Sequence, residues 1–241
     1  MGEEKERMKV LIIDNNIDLD CWGAHDLSHY SRFAPHATFY VRRGPHADLP
    51  TDPTEFSRII VSGSRTSALS QDAWVSKLED FLRRTIDAQV PVLGVCYGHQ
   101  LLARVLGGVT AVRRASVSEF GWIEIEVLKD SPLFRGLPKK FYTFAAHYDE
   151  VPQPPAGFLH TARSRDCVVQ AYHHPERPIY GIQFHPERTL AGSERTIREQ
   201  IKKGEGAQVF NPKLGAKLYD PEVGNAIFRN FLGDGPEGRA G

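Results

Sequence analysis

Short apolar runs separated by amphipathic segments mark the first half of the chain. Residues 10–13, 59–61 and 91–95 are nearly continuous runs of aliphatic residues, which predict strands buried on both faces. Between the last two runs, the apolar residues of positions 72–87 recur at helical spacing and predict a helix with one buried face. Strands that alternate with helices in this way are typical of a parallel sheet covered on both sides.

The pattern changes in the second half. Residues 122–127 alternate between apolar and polar, as expected of a half-exposed strand. Residues 167–172 and 179–184 predict two strands of a hairpin, joined by a turn rich in proline. We therefore expect a mixed sheet with antiparallel strands added late. A last helix is predicted from Pro221, with Asp220 as its N-cap.

Nothing in the composition separates two domains, because no linker-like stretch interrupts the alternation of elements. A length of 241 residues suits one large domain. The sequence predicts a single domain over residues 8–232, with residues 1–7 and 233–241 as flexible tails. A basic helical stretch at 194–203 is most simply a solvated helix, and a cap over a functional site is the alternative.

Charge and cysteine content exclude several classes of function. The 30 Lys+Arg residues balance 30 Asp+Glu, whereas nucleic-acid binders and proteins of anionic membranes are basic, so we predict no nucleic-acid or membrane partner. Cys21, Cys96 and Cys167 are too few and too far apart for a disulfide framework or a zinc cluster. We expect a cytoplasmic protein with no metal and no cofactor.

The strongest chemical signal is the segment from Gly94 to Gly98, which has the form G-x-C-x-G between a predicted strand and a predicted helix. This is the pattern of a nucleophile elbow, in which a sharp turn exposes the central side chain. The turn would place Cys96 at a helix N-terminus, where the helix dipole favours the thiolate. The alternative is a buried cysteine beside two packing glycines, and the strand-turn-helix context favours the elbow.

A cysteine nucleophile needs a histidine base, and the chain contains two His-Pro-Glu tripeptides, at 174–176 and 185–187. The first falls in a polar turn and is interpreted as a solvated loop. The second follows a predicted buried strand. Pro186 favours an extended His185, and residues i and i+2 of an extended segment point to the same side. Glu187 can then hold one ring nitrogen while the other faces Cys96.

Acyl transfer at Cys96 would also need backbone donors for the developing oxyanion. The N–H of Tyr97 is one predicted donor, and Gly63 and Ser64 follow a predicted strand that can supply another. Residues 62–67 could instead form a phosphate-binding loop, but no Walker lysine follows them.

Three segments together resemble the class I (triad-type) glutamine amidotransferases: the elbow at 94–100, the strand and tripeptide at 181–187, and the loop at 62–64. The resemblance extends over about residues 9–190. It implies an α/β fold, a flavodoxin-like αβα sandwich with a mixed, mostly parallel sheet. It also implies that Cys96 attacks the side-chain amide of glutamine and that ammonia leaves with the help of His185. Water would then release glutamate from a γ-glutamyl thioester.

The same resemblance implies substrate-binding residues. Gln100 stands where the family holds the α-amino and α-carboxylate groups of glutamine. The segment 146–151 is similar to the family's Ser-His-Gly-Asp-x-Val stretch, through which His147 and Tyr148 would make backbone contacts with the substrate. Here Ala146 and Tyr148 replace the usual Ser and Gly.

The motifs of this sequence resemble those of two branches of the family. The glutaminase part of GMP synthases would release ammonia to a separate synthetase partner, whereas plant γ-glutamyl peptidases act alone on γ-glutamyl peptides. A third hypothesis is a non-catalytic binding or regulatory module on the same fold. The presence of Cys96, His185 and Glu187 together counts against that module. Glutamine hydrolysis is preferred over the peptidase alternative.

Overall fold

The computed structural model describes residues 7–18, 23–202 and 209–233. Within these ranges one sheet contains ten strands: β1 Lys9–Asp14, β2 Thr38–Arg43, β3 Arg58–Val61, β4 Val92–Val95, β5 Arg113–Val127, β6 Lys140–Glu150, β7 Leu159–Arg163, β8 Ala171–His173, β9 Ile179–Ile182 and β10 Val209–Phe210. The α-helices are α1 Ala24–Ser28, α2 Ala73–Asp87, α3 Tyr97–Gly107, α4 Leu190–Lys202, α5 Gly215–Leu218 and α6 Pro221–Gly233. Residues 1–6 and 234–241 of the predicted tails, and Cys21, lie outside the described residues.

The sheet has a parallel core and an antiparallel extension. Five parallel strands follow the order β2-β1-β3-β4-β9, which is the flavodoxin-like order. Beyond β9, strands β8, β7, β5 and β6 pair antiparallel, and β10 pairs parallel with β5. The mixed sheet expected from the sequence is therefore confirmed.

Helices cover both faces of the core. Alternate residues of β1 point to opposite sides, so that Val10 and Ile12 pack in one cluster with Phe228 of α6. Leu11 and Ile13 pack in the other, with side chains of α2 and α3. The αβα sandwich is confirmed, and it leaves the carboxyl ends of β1, β3 and β4 at one edge.

Several boundaries differ from the predictions: β5 begins at Arg113 rather than at residue 122, and β9 ends at Ile182 rather than at residue 184. The strand expected from residue 167 begins only at Ala171, because the Ser164 N–H donates to the Cys167 carbonyl at 3.0 Å and closes a turn there. Helix α6 begins at Pro221 as expected, since the Asp220 carboxylate accepts the Glu222 N–H at 2.9 Å. It continues through Gly233, one residue into the predicted tail. Among the described helices, none has the length and apolar character needed to cross a bilayer.

Candidate active site

Cys96 occupies the turn between β4 and α3 with a φ of 50°. A positive φ is strained for a residue with a Cβ, and such strain is maintained only where packing enforces it. Here packing does so: a Cβ on Gly98 would overlap the Val61 carbonyl of β3, and one on Gly94 would overlap the Gly98 backbone. The two glycines let strand and helix meet, and the turn places the Cys96 side chain at the N-terminus of α3.

His185 lies beside Cys96 at the end of β9. Its backbone N–H donates to the Phe144 carbonyl of β6 at 2.8 Å. Its Nδ1 is 2.6 Å from Glu187 Oε1, and both side chains are almost fully buried. Burial alone would lower the pKa of His185, but the charges of Glu187 and then Cys96, with hydrogen bonds to both, raise that pKa to about 10. The imidazole is therefore held as an imidazolium at neutral pH.

The loop at 62–64 borders the same two side chains. A Cβ on Gly63 would lie 2.9 Å from His185 Cε1 and 3.6 Å from Cys96 Cβ. Asn15, at the end of β1, braces the loop: its N–H donates to Ser62 Oγ at 3.0 Å, and Ser64 Oγ donates to its carbonyl at 2.8 Å. The ring of Tyr97 packs 6.0 Å from that of Trp74, so a contribution of Tyr97 to the site would come from its backbone.

A cavity of about 230 Å³ opens above Cys96 and His185. It brings together four further residues singled out in the sequence, namely Ser64, Gln100, His147 and Tyr148. Arg114 and Phe120, which no sequence pattern indicated, also line it. The remaining lining includes Arg65, Thr66 and Ser67 of the candidate loop at 62–67, and Thr196 and Gln200 of the helical stretch at 194–203.

Helix α4 forms one wall of this cavity. Thr196 and Gln200 line it, and Gln200 Nε2 donates to the Tyr148 hydroxyl at 2.8 Å. Arg198 and Glu199 on the same helix are exposed. The helix is thus solvated on one face and contacts the site on another, so the capping alternative describes it better than the simple solvated helix.

Two of the predicted substrate-binding side chains are engaged by the protein. Gln100 Nε2 donates to the Asp149 carbonyl at 2.7 Å and to Gln183 Oε1 at 3.0 Å, which uses both of its hydrogens. His147 directs Nδ1 to the Asp149 carbonyl at 3.1 Å and Nε2 to Glu119 Oε2 at 3.0 Å. A substrate would therefore meet the oxygen of Gln100 and the backbone of residue 147.

Glu119 is a buried support that no local sequence pattern revealed. Its carboxylate accepts hydrogen bonds from Ser164 Oγ and Gln170 Nε2 in addition to its contact with His147. With Cys167, Glu119 and His147 form a compact group whose potential ligand atoms lie within 4.8 Å of one another. Burial, and then the charge of Glu119, raise the pKa of the Cys167 thiol. A protonated thiol and a fully engaged carboxylate make this group a structural support for His147.

The sequence matches the family model of class-I glutamine amidotransferases over residues 36–202. The chain belongs to this family. Among curated relatives, a glutamine-hydrolyzing GMP synthase subunit from Pyrococcus abyssi is 44% identical over 109 residues, covering 45% of this chain and 57% of that protein. The corresponding GMP synthase subunit from Methanopyrus kandleri is 40% identical over 146 residues, covering 59% of this chain and 73% of its own length.

Crystal structures of glutamine amidotransferases share the fold. One from Thermotoga maritima has a TM-score of 0.78 at 22% identity and covers 94% of this chain and 96% of its own. One from Methylobacillus flagellatus has a TM-score of 0.75 at 22% identity and covers 94% of each chain. At this identity the likeness concerns the fold alone. The chain spans 57% of the length of the Pyrococcus abyssi protein and 51% of its counterpart from Thermococcus kodakarensis.

Proposed function

We propose that this amidotransferase hydrolyses the side-chain amide of free glutamine through a γ-glutamyl thioester on Cys96. The observation that carries the proposal is the arrangement at the elbow. A cysteine lies at a helix N-terminus, beside a buried histidine that is itself 2.6 Å from a buried carboxylate. This is the nucleophile, base and orienting group of acyl transfer, and it borders a cavity of amino-acid size.

In the first half-reaction, the Cys96 thiolate attacks the side-chain carbonyl carbon of glutamine. The raised pKa of His185 keeps a proton on the ring, and that proton passes to the departing nitrogen, which leaves as ammonia. Glu187 holds the ring in place through Nδ1, so that the other nitrogen, Nε2, faces the sulfur. The backbone N–H groups of Tyr97 and of Gly63 or Ser64 stabilise the oxyanion.

In the second half-reaction, the neutral His185 formed by proton loss takes a proton from water. The resulting hydroxide attacks the thioester, the Cys96 thiolate leaves, and glutamate is released. The bonds and protons balance: one amide and one water give one carboxylic acid and one ammonia, with the imidazolium and thiolate restored, and the released acid and ammonia then ionise to carboxylate and ammonium.

The fate of the ammonia is inferred from the relatives. Each of them is named as one subunit of a glutamine-hydrolyzing GMP synthase. We propose that this chain likewise delivers ammonia to a separate synthetase chain. Glutamine is then the preferred substrate over γ-glutamyl peptides.

The direct test is to incubate the pure protein with L-glutamine, and separately with γ-glutamyl dipeptides, and to measure glutamate and ammonia. We expect equal amounts of glutamate and ammonia from glutamine, and none from the Cys96→Ala variant. The matched control is Cys167→Ala, which changes the other described cysteine outside the cavity and should retain most of the turnover, because the Glu119 contact with His147 at 3.0 Å does not involve the thiol.

A second measurement removes the dependence on an unidentified partner. A glutamine analogue with an electrophilic diazoketone in place of the amide should add covalently to Cys96, as detected by mass spectrometry. Absence of both turnover and labelling would overturn the proposal. Faster turnover of dipeptides than of glutamine would replace it with the peptidase alternative.

A further inference from the structure

The substrate cavity has a reactive end and a charged end. At the reactive end, Cys96 Sγ lies 3.8 Å from the Ala146 carbonyl of β6. Three residues further along β6 is Asp149, roughly 10 Å away at the spacing of an extended strand. Gln100 connects the two ends, since it follows Cys96 by one turn of α3 and donates to the Asp149 carbonyl at 2.7 Å.

Arg114 supplies the positive charge at the far end. It lies on β5 directly opposite Asp149 in the strand register and also lines the cavity. Its Nη1 is 3.3 Å from Asp149 Oδ1, a single long contact rather than the paired geometry of a strong arginine–carboxylate bond. The guanidinium lies 4.8 Å from the ring centre of Tyr148, which holds it along the cavity wall.

Resting on the function proposed above, we propose that Arg114 is a specificity-determining residue that binds the α-carboxylate of free glutamine. A planar guanidinium with five N–H donors can contact Asp149 and a substrate carboxylate together. The oxygen of Gln100 faces the neighbouring α-ammonium group. Glutamine whose α-carboxylate is blocked in a peptide bond should therefore bind more weakly than free glutamine.

The wall beside Arg114 supports this assignment. Tyr148 stacks under the guanidinium, and Gln200 of α4 bonds the Tyr148 hydroxyl at 2.8 Å. These side chains bound the cavity next to its charged end. The volume of about 230 Å³ is below the range of about 300–1,000 Å³ typical of sites for drug-sized ligands. A single amino acid fits a cavity of this volume.

The test measures binding in the Cys96→Ala background, so that it does not depend on turnover. Calorimetry would compare L-glutamine with its α-carboxamide, which lacks the negative charge but keeps the shape. We expect Arg114→Met to weaken glutamine binding about 10- to 100-fold, the effect of losing one charge-assisted contact. Binding of the α-carboxamide should be unchanged by the substitution.

Arg113→Met is the matched control, because the Arg113 side chain pairs with Glu150 at 2.7 Å on the neighbouring strand position. It should leave both affinities unchanged, and Arg114→Lys should restore part of the preference for the charged ligand. Equal losses for the two ligands, or no loss in Arg114→Met, would overturn the inference while hydrolysis by the parent chain stood. If glutamine binds with this dependence on Arg114 but the parent chain releases no glutamate, the hydrolysis proposal fails alone. Absence of glutamine binding overturns both.

Discussion

The two His-Pro-Glu tripeptides have the same sequence and opposite environments. His174 lies in a partly exposed turn, where its Nδ1 accepts the backbone N–H groups of Glu176 and Arg177 at 3.1 Å each. His185 is buried, and its Nδ1 meets the Glu187 carboxylate at 2.6 Å. In the first copy the ring nitrogen is an acceptor and Glu176 is exposed. In the second it donates to an anion.

The protonation of the two rings follows from these contacts. Burial, and then the nearby Arg177, lower the pKa of His174, whereas Glu187 and Cys96 outweigh burial and raise the pKa of His185. The tripeptide therefore does not by itself create a histidine–carboxylate pair. The pair forms in the second copy because the Phe144 carbonyl and the Tyr30 hydroxyl hold residues 185 and 186 from outside the segment.

The largest expected effect separates the two histidines. His185→Ala should lower kcat/KM for glutamine by at least about 10³-fold, because the base and proton donor of the proposed mechanism is removed. His174→Ala, its matched control, should change the rate less than about twofold. Steady-state glutamate release measures both. Comparable losses in the two variants would contradict the distinction between the copies.

Substitutions of the two glutamates, Glu187 and Glu176, should differ less in their effect on the rate than those of the two histidines. Glu187→Gln is expected to lower kcat by about 10²-fold, because the imidazolium loses the charge that stabilises it. Glu176→Gln should be indistinguishable from the parent chain. Equal rates for the parent and Glu187→Gln would show that the carboxylate is not required.

The pH dependence tests the cause of the difference between the rings. With the pKa of His185 at about 10, the ring should keep its proton up to about pH 9, and kcat/KM should fall about tenfold per pH unit above that pKa, as the ring loses its proton. In Glu187→Gln the pKa of His185 decreases, so the decline should begin at lower pH. An alkaline limb at the same pH in both proteins would contradict the assigned cause.

The smallest expected effect concerns the support of the second copy. The Tyr30 hydroxyl donates to the Pro186 carbonyl at 2.8 Å, and its ring stacks on Phe228 at 4.1 Å. Tyr30→Phe keeps the stack and should lower the free energy of unfolding by about 1–2 kcal/mol, because a buried carbonyl loses its donor. Urea titration measures this change. An unaltered free energy would mean that packing alone positions the segment.

Local patterns predicted much of the fold and the reactive end of the site. The aliphatic runs predicted β1, β3 and β4, and apolar residues at helical spacing predicted α2. Burial on one or two faces of an element fixes the spacing of its hydrophobic residues along the sequence. The elbow at Cys96 was predictable because strand, turn and helix are contiguous. His185 was preferred over His174 because it follows a predicted buried strand directly, whereas His174 lies within the polar turn of the hairpin.

The predictions were weakest where contacts join distant segments. The strand expected from residue 167 was shortened by a turn that Ser164 closes, and hydrogen bonding of this kind is not visible in hydrophobic periodicity. In the sequence, nothing distinguishes Glu119 from an exposed acidic residue on a strand. Its burial against His147 depends on the pairing of β5 with β6.

The chemistry proposed for this protein rests on local sequence, because Cys96 with its glycines, and His185 with Glu187, are each defined within a few neighbouring residues. The selectivity proposed for the cavity depends on the tertiary structure. Arg114 meets Asp149 through a strand register across 35 positions, and Gln200 meets Tyr148 across 52. Such pairings arise from sheet geometry and helix packing, which satisfy polar groups between segments that share no local pattern.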